Sequence, residues 1–129
     1  MKEQPLFTIT ENIVRGVSRG KKLGFPTANL TYSKNIPLDF GVYIVSVKYS
    51  QKVYYGVANV GIPITFFGDF PRIDVHILDF EEDLYGKKIT VYFWKKIREI
   101  KKFPNEQKLI WQIEKDIDTA KDFFQQHKL

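Results

Sequence analysis

The alternation of hydrophobic and polar residues divides the chain into a strand-rich body followed by one helix. From residue 8 to residue 97, short segments rich in β-branched and aromatic residues are separated by turn-forming residues, as in antiparallel sheets. We predict extended segments at 8–17, 27–32, 41–49, 53–59, 73–80 and 89–97. A turn at 50–52 joins two of them into a hairpin, and loops are predicted at 33–40, 61–72 and 81–86.

After this body the periodicity changes to that of an amphipathic helix. Apolar residues recur every three or four positions, at Leu109, Ile113, Ile117, Ala120 and Phe124. The helix is predicted to begin after an N-cap at residue 105 and to run to about residue 125. Several short strands followed by one helix predict a mainly β fold, a closed or nearly closed antiparallel barrel with a C-terminal helix packed against it. A single domain is expected over residues 1–129, with the barrel at about 8–103.

Composition narrows the class of protein. Hydrophobic residues make up 43% and aromatic residues 16% of the 129 residues, which favours a globular domain with a β-rich core. The chain has no cysteine and two histidines, which excludes disulfides and thiolate metal sites and argues against zinc. Lys-Glu-Gln-Pro follows Met1, unlike a secretory signal, and no apolar run is long enough for a membrane span. We expect a cytoplasmic protein and a monomer.

Positive charge is distributed in clusters. The chain carries 20 Lys and Arg against 15 Asp and Glu, a net charge of +5. The cations gather at 15–22, 87–88 and 95–102. This pattern suits a local anion site at least as well as a track for nucleic acid, and a solvated basic surface is the alternative to both. The run 95–103 is equally consistent with phosphate binding beside aromatic rings and with a lysine-protected strand edge.

The stretch from residue 20 to residue 30, Gly-Lys-Lys-Leu-Gly-Phe-Pro-Thr-Ala-Asn-Leu, combines the groups that a nucleotide polyphosphate with Mg²⁺ requires. Its glycines allow close approach of the backbone, and its lysines carry positive charge. Thr27 and Asn29 are two residues apart, so an extended segment presents both side-chain oxygens on one face. The segment does not fit the Walker pattern, and a structural turn is the alternative.

A second candidate lies in the predicted strand 73–80. Asp74 and His76 alternate with Ile73, Val75 and Ile77, so the two polar side chains share one face. If that face lines a pocket, Asp74 could accept a proton from a substrate hydroxyl. An exposed polar face of a half-buried strand is the alternative.

Taken in order, these segments resemble the riboflavin kinase (flavokinase) family over residues 12–124. The motifs that carry the resemblance are Val14-x-Gly16, Gly20-x-x-Leu-Gly-Phe-Pro-Thr-Ala-Asn-Leu30, Gly41-Val-Tyr43, Tyr55-Gly-Val-Ala-Asn-Val-Gly61, Thr65-Phe66, Val75-His-Ile-Leu-Asp-Phe80, Leu84-Tyr-Gly86, Ile97-Arg98, Lys102-Phe103 and Leu109-x-x-Gln-Ile-x-x-Asp116. The resemblance implies a small Greek-key barrel with a C-terminal helix. It also implies transfer of the γ-phosphoryl of ATP to the 5′-hydroxyl of riboflavin, giving FMN. The chain is similar to the C-terminal kinase half of bacterial bifunctional flavokinase/FAD synthetases, and we expect that half alone.

The resemblance also implies roles for individual residues. Asp74 stands where the family has its catalytic glutamate, and Thr27 and Asn29 match the positions that bind Mg²⁺, or another divalent metal, with ATP. Arg98 and Phe103 match the flavin side, where Arg98 and the residues after it correspond to a mobile loop of the family. The ATP-binding positions are Gly16, Val17, Gly20, Lys21, Lys22, Gly24, Pro26, Thr27 and Asn29. The implied partners are therefore ATP and ADP, riboflavin and FMN, with no membrane, and nucleic acid is disfavoured as a partner.

Three departures from the family pattern leave other functions open. Asp74 shortens the usual glutamate by one methylene, Pro63-Ile64-Thr65 replaces the usual Arg-Pro-Thr, and Lys21 replaces an arginine. Lysine keeps the charge of arginine but not its bidentate geometry. One alternative function is therefore a flavin-binding or regulatory module with weak or no kinase activity. The other is a basic barrel that binds single-stranded nucleic acid.

Overall fold

The computed structural model of the protein describes residues 4–13, 27–62, 71–80 and 84–127. In that part of the chain it contains six β-strands and one α-helix. The strands are β1 (Phe7–Asn12), β2 (Thr27–Leu30), β3 (Gly41–Tyr49), β4 (Lys52–Gly61), β5 (Arg72–Ile77) and β6 (Lys88–Arg98), and the helix is α1 (Glu106–His127). The fold is mainly β with one C-terminal helix, as the sequence predicts.

The strands form one antiparallel sheet in the order β1-β6-β3-β4-β5-β2. Strands β3, β4 and β5 are consecutive neighbours, and β6 returns to pair with β3. Three consecutive strands with a fourth returning beside the first define a Greek key. The Greek-key topology is therefore confirmed.

The sheet curls into a half-barrel whose two edge strands are joined by side chains. Glu11 on the edge strand β1 accepts hydrogen bonds from Thr31, the residue after the other edge strand β2. The backbone N–H of Thr31 lies 3.0 Å from Glu11 Oε1, and the Thr31 hydroxyl lies 2.7 Å from the same oxygen. This contact fixes β2, which carries Thr27 and Asn29, against the first strand of the sheet.

The two faces of the sheet bury different sets of apolar residues. The inner face holds the main core, and the outer face holds a smaller cluster under α1. The buried residues of the main core are Ile13, Ala28, Leu30, Leu38, Tyr43, Val45, Val47, Ala58, Val60, Ile73, Val75, Ile77, Phe80, Leu84, Ile89, Val91 and Phe93. The buried residues of the outer cluster are Val42, Ile44, Val57, Ala120, Phe123 and Phe124. Because β3 lies between these two clusters, its first seven residues are all buried.

The helix follows its predicted pattern closely. Asn105 Oδ1 accepts a hydrogen bond from the backbone N–H of Lys108 at 2.9 Å, so Asn105 is the N-cap. Ala120 and Phe124 of the predicted apolar stripe pack on the sheet, and Phe124 stacks on Tyr55 with ring centroids 4.1 Å apart. The helix ends at His127, two residues beyond the predicted end.

The remaining differences concern the ends of strands. The predicted segment 73–80 is a strand only to Ile77, and it begins one residue earlier, at Arg72. Leu78 and Asp79 form a turn in which Asp79 has a φ of 55°, and the turn places Phe80 against Tyr54 in the main core. Segment 27–32 is a strand to Leu30, and β4 extends the predicted 53–59 at both ends. Of the predicted segment 8–17, residues 14–17 lie outside the described residues, as do 63–70 and 81–83 of two predicted loops.

Candidate functional site

A polar row crosses three neighbouring strands on the outer face of the sheet. Asn29 of β2 lies opposite Asp74 of β5, and Asp74 lies opposite Asn59 of β4. Directly paired residues of an antiparallel ladder project on the same side. The neighbours Ala28, Ile73 and Val75 alternate with these residues and lie in the main core. The row therefore faces away from the core, as the alternation in the sequence predicts for Asp74 and Asn29.

A second row lies two residues along each strand. Thr27 of β2 is opposite His76 of β5, which is opposite Val57 of β4. Thr27 is 4% exposed and His76 is 8% exposed. The second row is thus closed to solvent. Asp74 and Asn29 lie in the adjacent row and are both half-buried. The structure brings Thr27, Asn29, Asp74 and His76 together, although about 45 residues of sequence separate the two strands.

The Asp74 carboxylate is half-buried and held on one side. Arg72, two residues earlier on the same strand, donates from Nε to Asp74 Oδ2 at 3.2 Å. Burial in the sheet raises the pKa of Asp74 above its ordinary value, and the Arg72 guanidinium partly offsets that rise. A carboxylate with a raised pKa is a stronger base than an exposed aspartate.

Two buried oxygen atoms of the polar row have no hydrogen-bond partner within the described residues. They are Asn29 Oδ1 and Asp74 Oδ1, on directly opposed residues. A buried acceptor without a partner costs about 1–3 kcal/mol, and such atoms are rare in folded proteins. Amide and carboxylate oxygens are also the ligands that Mg²⁺ prefers. These two oxygens are therefore suited to accept a hydrogen bond from an incoming hydroxyl, to coordinate a divalent cation, or both.

The close packing of β4 against β5 beneath these rows depends on a glycine. A Cβ atom at Gly56 would overlap the carbonyl oxygen of His76. The backbone of β4 can approach β5 this closely only because residue 56 has no side chain. Gly56 thus sets the position of the strand that carries Asp74 and His76.

The predicted flavin-side residues lie farther along the outer face, next to α1. Arg98 of β6 is opposite Val42 of β3, which is opposite Asn59, so Arg98 lies in register with the polar row but is separated from it by the apolar Val42. Its guanidinium forms a two-pronged ion pair with the buried Asp116 of α1, with Nε 3.0 Å from Oδ1 and Nη2 2.8 Å from Oδ2. The guanidinium carbon also lies 5.9 Å from the centre of the Phe103 ring.

Asp116 is fully engaged in this contact. Gln112 donates from Nε2 to Asp116 Oδ1 at 3.0 Å, in addition to the donors of Arg98. Arg98 Nη1 donates to the backbone oxygen of Glu99 at 3.0 Å. Arg98 thus fastens the helix to β6, a role that the sequence analysis did not assign to it.

Several predicted ATP-binding residues lie outside the described residues. They are Gly16, Val17, Gly20, Lys21, Lys22, Gly24 and Pro26. The segment Pro63-Ile64-Thr65 lies outside them as well. The sequence analysis missed the positions of Asn59 and Arg72 in the site. Arg72 carried a usable signal, because a residue two positions before Asp74 on a strand must share its face.

The fold and the site together define a class of protein: a Greek-key half-barrel with a C-terminal helix and an oxygen-rich polar row on its outer face. Residues 4–124 match the model of the flavokinase family, described as riboflavin kinase. The chain belongs to the riboflavin kinase family.

Curated relatives share this module as part of longer proteins. A bifunctional riboflavin kinase/FMN adenylyltransferase of Buchnera aphidicola subsp. Schizaphis graminum is 40% identical over 121 residues, covering 92% of this chain and 39% of the relative. The Bacillus subtilis protein of the same name is 38% identical over 125 residues, covering 94% of this chain and 39% of the relative. The chain thus spans about two fifths of the length of these relatives.

A solved structure has the same fold. It is described as a macrolide-efflux protein from Streptococcus pneumoniae, and it matches with a TM-score of 0.77 and 35% identity. The match covers 91% of this chain and 38% of the other. Among the described residues of the present chain, α1 is too polar to cross a membrane.

Proposed function

We propose that the protein is an ATP:riboflavin 5′-phosphotransferase, a riboflavin kinase that produces FMN. The observation that carries the proposal is the polar row, in which Asn29 Oδ1 lies opposite Asp74 Oδ1 and neither oxygen has a hydrogen-bond partner among the described residues. The row lies in a fold of the riboflavin kinase family. Relatives at about 40% identity over 92% of the chain are named as bifunctional kinases of riboflavin, which supports the same substrate class.

Phosphoryl transfer depends mainly on positioning and on charge neutralisation, so few residues need to act chemically. In this proposal Asp74 Oδ1 accepts the proton of the riboflavin 5′-hydroxyl as that oxygen attacks the γ-phosphorus. Burial supports this role, because it raises the pKa of Asp74 and makes the carboxylate a better proton acceptor. The bond between the γ-phosphorus and the bridging oxygen breaks, and ADP leaves.

The nucleotide side of the site is assigned to β2 and the preceding loop. Thr27 and Asn29 would hold the Mg²⁺ that accompanies ATP, and their oxygen donors suit that ion. A bound Mg²⁺ neutralises charge on the phosphates. The segment 16–26, with Lys21 and Lys22, is proposed to wrap the phosphate chain.

The flavin side is assigned to the part of the outer face near Arg98 and Phe103. Because Asp116 holds Arg98 in place, the guanidinium is proposed to act as a fixed wall rather than a mobile clamp. Phe103 would offer an aromatic surface to the flavin ring. The Asp74 carboxylate lies three strands from Arg98, about 14 Å at the usual spacing of neighbouring strands. A flavin with its ribityl chain extended is long enough for that span.

A cytoplasmic monomer that acts on small molecules completes the proposal. The direct test is to incubate the purified protein with riboflavin, ATP and Mg²⁺ and to measure FMN by chromatography. FMN formation that stops on addition of EDTA is the expected result. Flavin binding without FMN above a protein-free control would instead identify a binding module.

The assignment of Asn29 has its own test. Asn29→Ala removes the Oδ1 oxygen proposed as a metal ligand, and we expect the KM for MgATP to rise by about tenfold or more. Asn35→Ala is the matched control, because Asn35 is exposed in the loop after β2. Equal KM values for the two variants would contradict the assignment of Asn29 to the metal and nucleotide.

A further inference from the structure

We propose that Arg72 is a positioning residue of the kinase site, which orients the Asp74 carboxylate so that Oδ2 is held and Oδ1 is presented to the substrate hydroxyl. The inference rests on the proposed function, because it concerns the residue assigned there as the proton acceptor. The inference also extends the proposed function, because it gives a role to Arg72, which neither the motifs nor the family resemblance singled out.

The contact itself is the first observation. Arg72 Nε lies 3.2 Å from Asp74 Oδ2, and the side chains are 26% and 18% exposed. Residues two apart on a strand project on the same side, so the backbone of β5 brings the two groups together. Nε is the guanidinium nitrogen nearest the backbone, so the contact is set mainly by the strand rather than by the flexible end of the side chain.

The second observation is the difference between the two carboxylate oxygens. Oδ2 accepts from Arg72, whereas Oδ1 is buried and has no hydrogen-bond partner within the described residues. Asn29 and Asn59, the residues paired with Asp74 on its two sides, are neutral. Arg72 is thus the charged side chain that the described neighbours place against Asp74, and it binds Oδ2 while Oδ1 stays without a partner among the described residues.

The third observation concerns reach. An aspartate has one rotatable bond fewer than a glutamate, so it cannot compensate for a wrong orientation by flexing its chain. A displacement of a catalytic group by about 1 Å can lower a rate about 10²-fold. A neighbour that fixes the carboxylate plane is therefore worth more to an aspartate than to a longer acid. Each side chain keeps part of its surface in solvent, which screens the attraction, so we assign the ion pair mainly to orientation rather than to stability.

The test is the kinetics of FMN formation by Arg72→Met and Arg72→Lys. For Arg72→Met we expect kcat to fall about tenfold or more, while the KM values for ATP and riboflavin stay within about twofold of those of the unchanged protein. Arg72→Lys keeps a cation within reach of Oδ2, and we expect it to recover part of kcat. Lys115→Met is the matched control. It removes a cation that contacts the exposed Trp111 ring at 5.3 Å on α1, and we expect unchanged kinetics.

Two outcomes would overturn the inference while leaving the proposed function intact. One is a kcat of Arg72→Met within about twofold of the unchanged protein. The other is a rise in the KM for ATP with kcat unchanged, which would make Arg72 a nucleotide ligand instead. Absence of FMN with the unchanged protein would overturn the proposed function itself, and the inference with it. Circular dichroism melting of each variant identifies any loss of kcat that comes from unfolding.

Discussion

The outer face of the sheet has two halves, which differ in whether their buried polar groups are hydrogen-bonded. In the half under α1, the buried Asp116 accepts hydrogen bonds from both Arg98 and Gln112. In the half formed by β2, β5 and β4, Asn29 Oδ1 and Asp74 Oδ1 are buried without a partner among the described residues. Both halves belong to the same six-stranded sheet and share β4.

This difference indicates that the half under α1 stabilises the fold, whereas the polar row is the part proposed to act on substrates. A satisfied polar network rigidifies the structure around it, whereas an unsatisfied buried acceptor lowers stability until a ligand supplies a donor or a cation. The helix-covered half should therefore be sensitive to loss of its polar groups. The polar row should gain stability when its charge is removed, and lose activity.

We expect the largest change in stability from a substitution that disturbs the close approach of β4 to β5 near the polar row. Gly56→Ala would force a Cβ against the carbonyl oxygen of His76, and backbone cannot move aside cheaply. We expect the free energy of unfolding to fall by about 3 kcal/mol, measured by urea denaturation.

Gly86→Ala is the comparison for that change. Gly86 has a φ of 77°, but no atom lies within 4 Å of a Cβ built there, so only the conformational cost of about 1 kcal/mol is expected. Equal losses for the two variants would mean that the close approach of β4 to β5 does not limit the fold.

The next change removes the charge that fastens the helix. Asp116→Asn keeps the shape of the side chain but leaves the half-buried Arg98 without its counter-charge. We expect a loss of about 2 kcal/mol in the free energy of unfolding. Asp118→Asn is the control, because Asp118 is exposed on the same helix, and it should change stability by less than about 0.5 kcal/mol. If Asp116→Asn changed the free energy of unfolding as little as Asp118→Asn does, the ion pair under α1 would not stabilise the fold, and the proposed difference between the two halves would be wrong.

A smaller effect is expected at the start of the helix. Asn105→Ala removes the side-chain acceptor of the Lys108 backbone N–H. Loss of an N-cap costs about 1 kcal/mol, and the melting temperature should fall by a few degrees. Asn105→Ser, which can cap the helix equally well, should restore it. An unchanged melting temperature in the Ala variant would show that the cap adds nothing to the packing of α1.

The smallest effect is a pH dependence with the opposite sign from that of a stabilising ion pair. Burial raises the folded-state pKa of Asp74 above its ordinary value of 3.8, so between these two pKa values the folded state binds more protons than the unfolded state. The contribution of Asp74 to stability is therefore greatest below pH 3.8 and is lost as pH rises through the folded-state pKa.

Asp74→Asn should consequently be more stable than the unchanged protein at pH 7, and this advantage should shrink as pH falls through the folded-state pKa of Asp74. Urea denaturation of both proteins at several pH values measures the difference. If the stability advantage of Asp74→Asn instead grew as pH fell, the Arg72 guanidinium would lower the pKa of Asp74 by more than burial raises it.

The sequence predicts what is local and periodic in this fold. The hairpin of β3 and β4, the N-cap at Asn105 and the shared face of Asp74 and His76 all follow from short-range patterns. Where local rules compete with packing, the predictions miss by a few residues. The strand predicted to reach Phe80 ends at Ile77, because a turn at Asp79 places the Phe80 ring in the core.

The pairing that forms the site could not be predicted in the same way. Asn29 and Asp74 are partners through the register of β2 and β5, and no local signal specifies which residues of two distant strands face each other. Arg98 illustrates the same limit for side chains. Family resemblance points to the flavin, whereas its contact with Asp116 follows from the packing of α1. The roles of the ATP-binding residues in 16–26 remain predictions.

The initial rate of FMN formation by the unchanged protein, Asp74→Asn and Asp74→Glu tests most directly whether Asp74 is the proton acceptor of a riboflavin kinase. We expect the unchanged protein to form FMN and Asp74→Asn to lose on the order of 10² to 10⁴ in kcat, with its Kd for MgADP within about twofold. Asp74→Glu, which keeps a carboxylate, should retain measurable turnover. An Asp74→Asn protein that keeps more than about a tenth of the original kcat would show that the proton is accepted elsewhere and that Asp74 does not have this role.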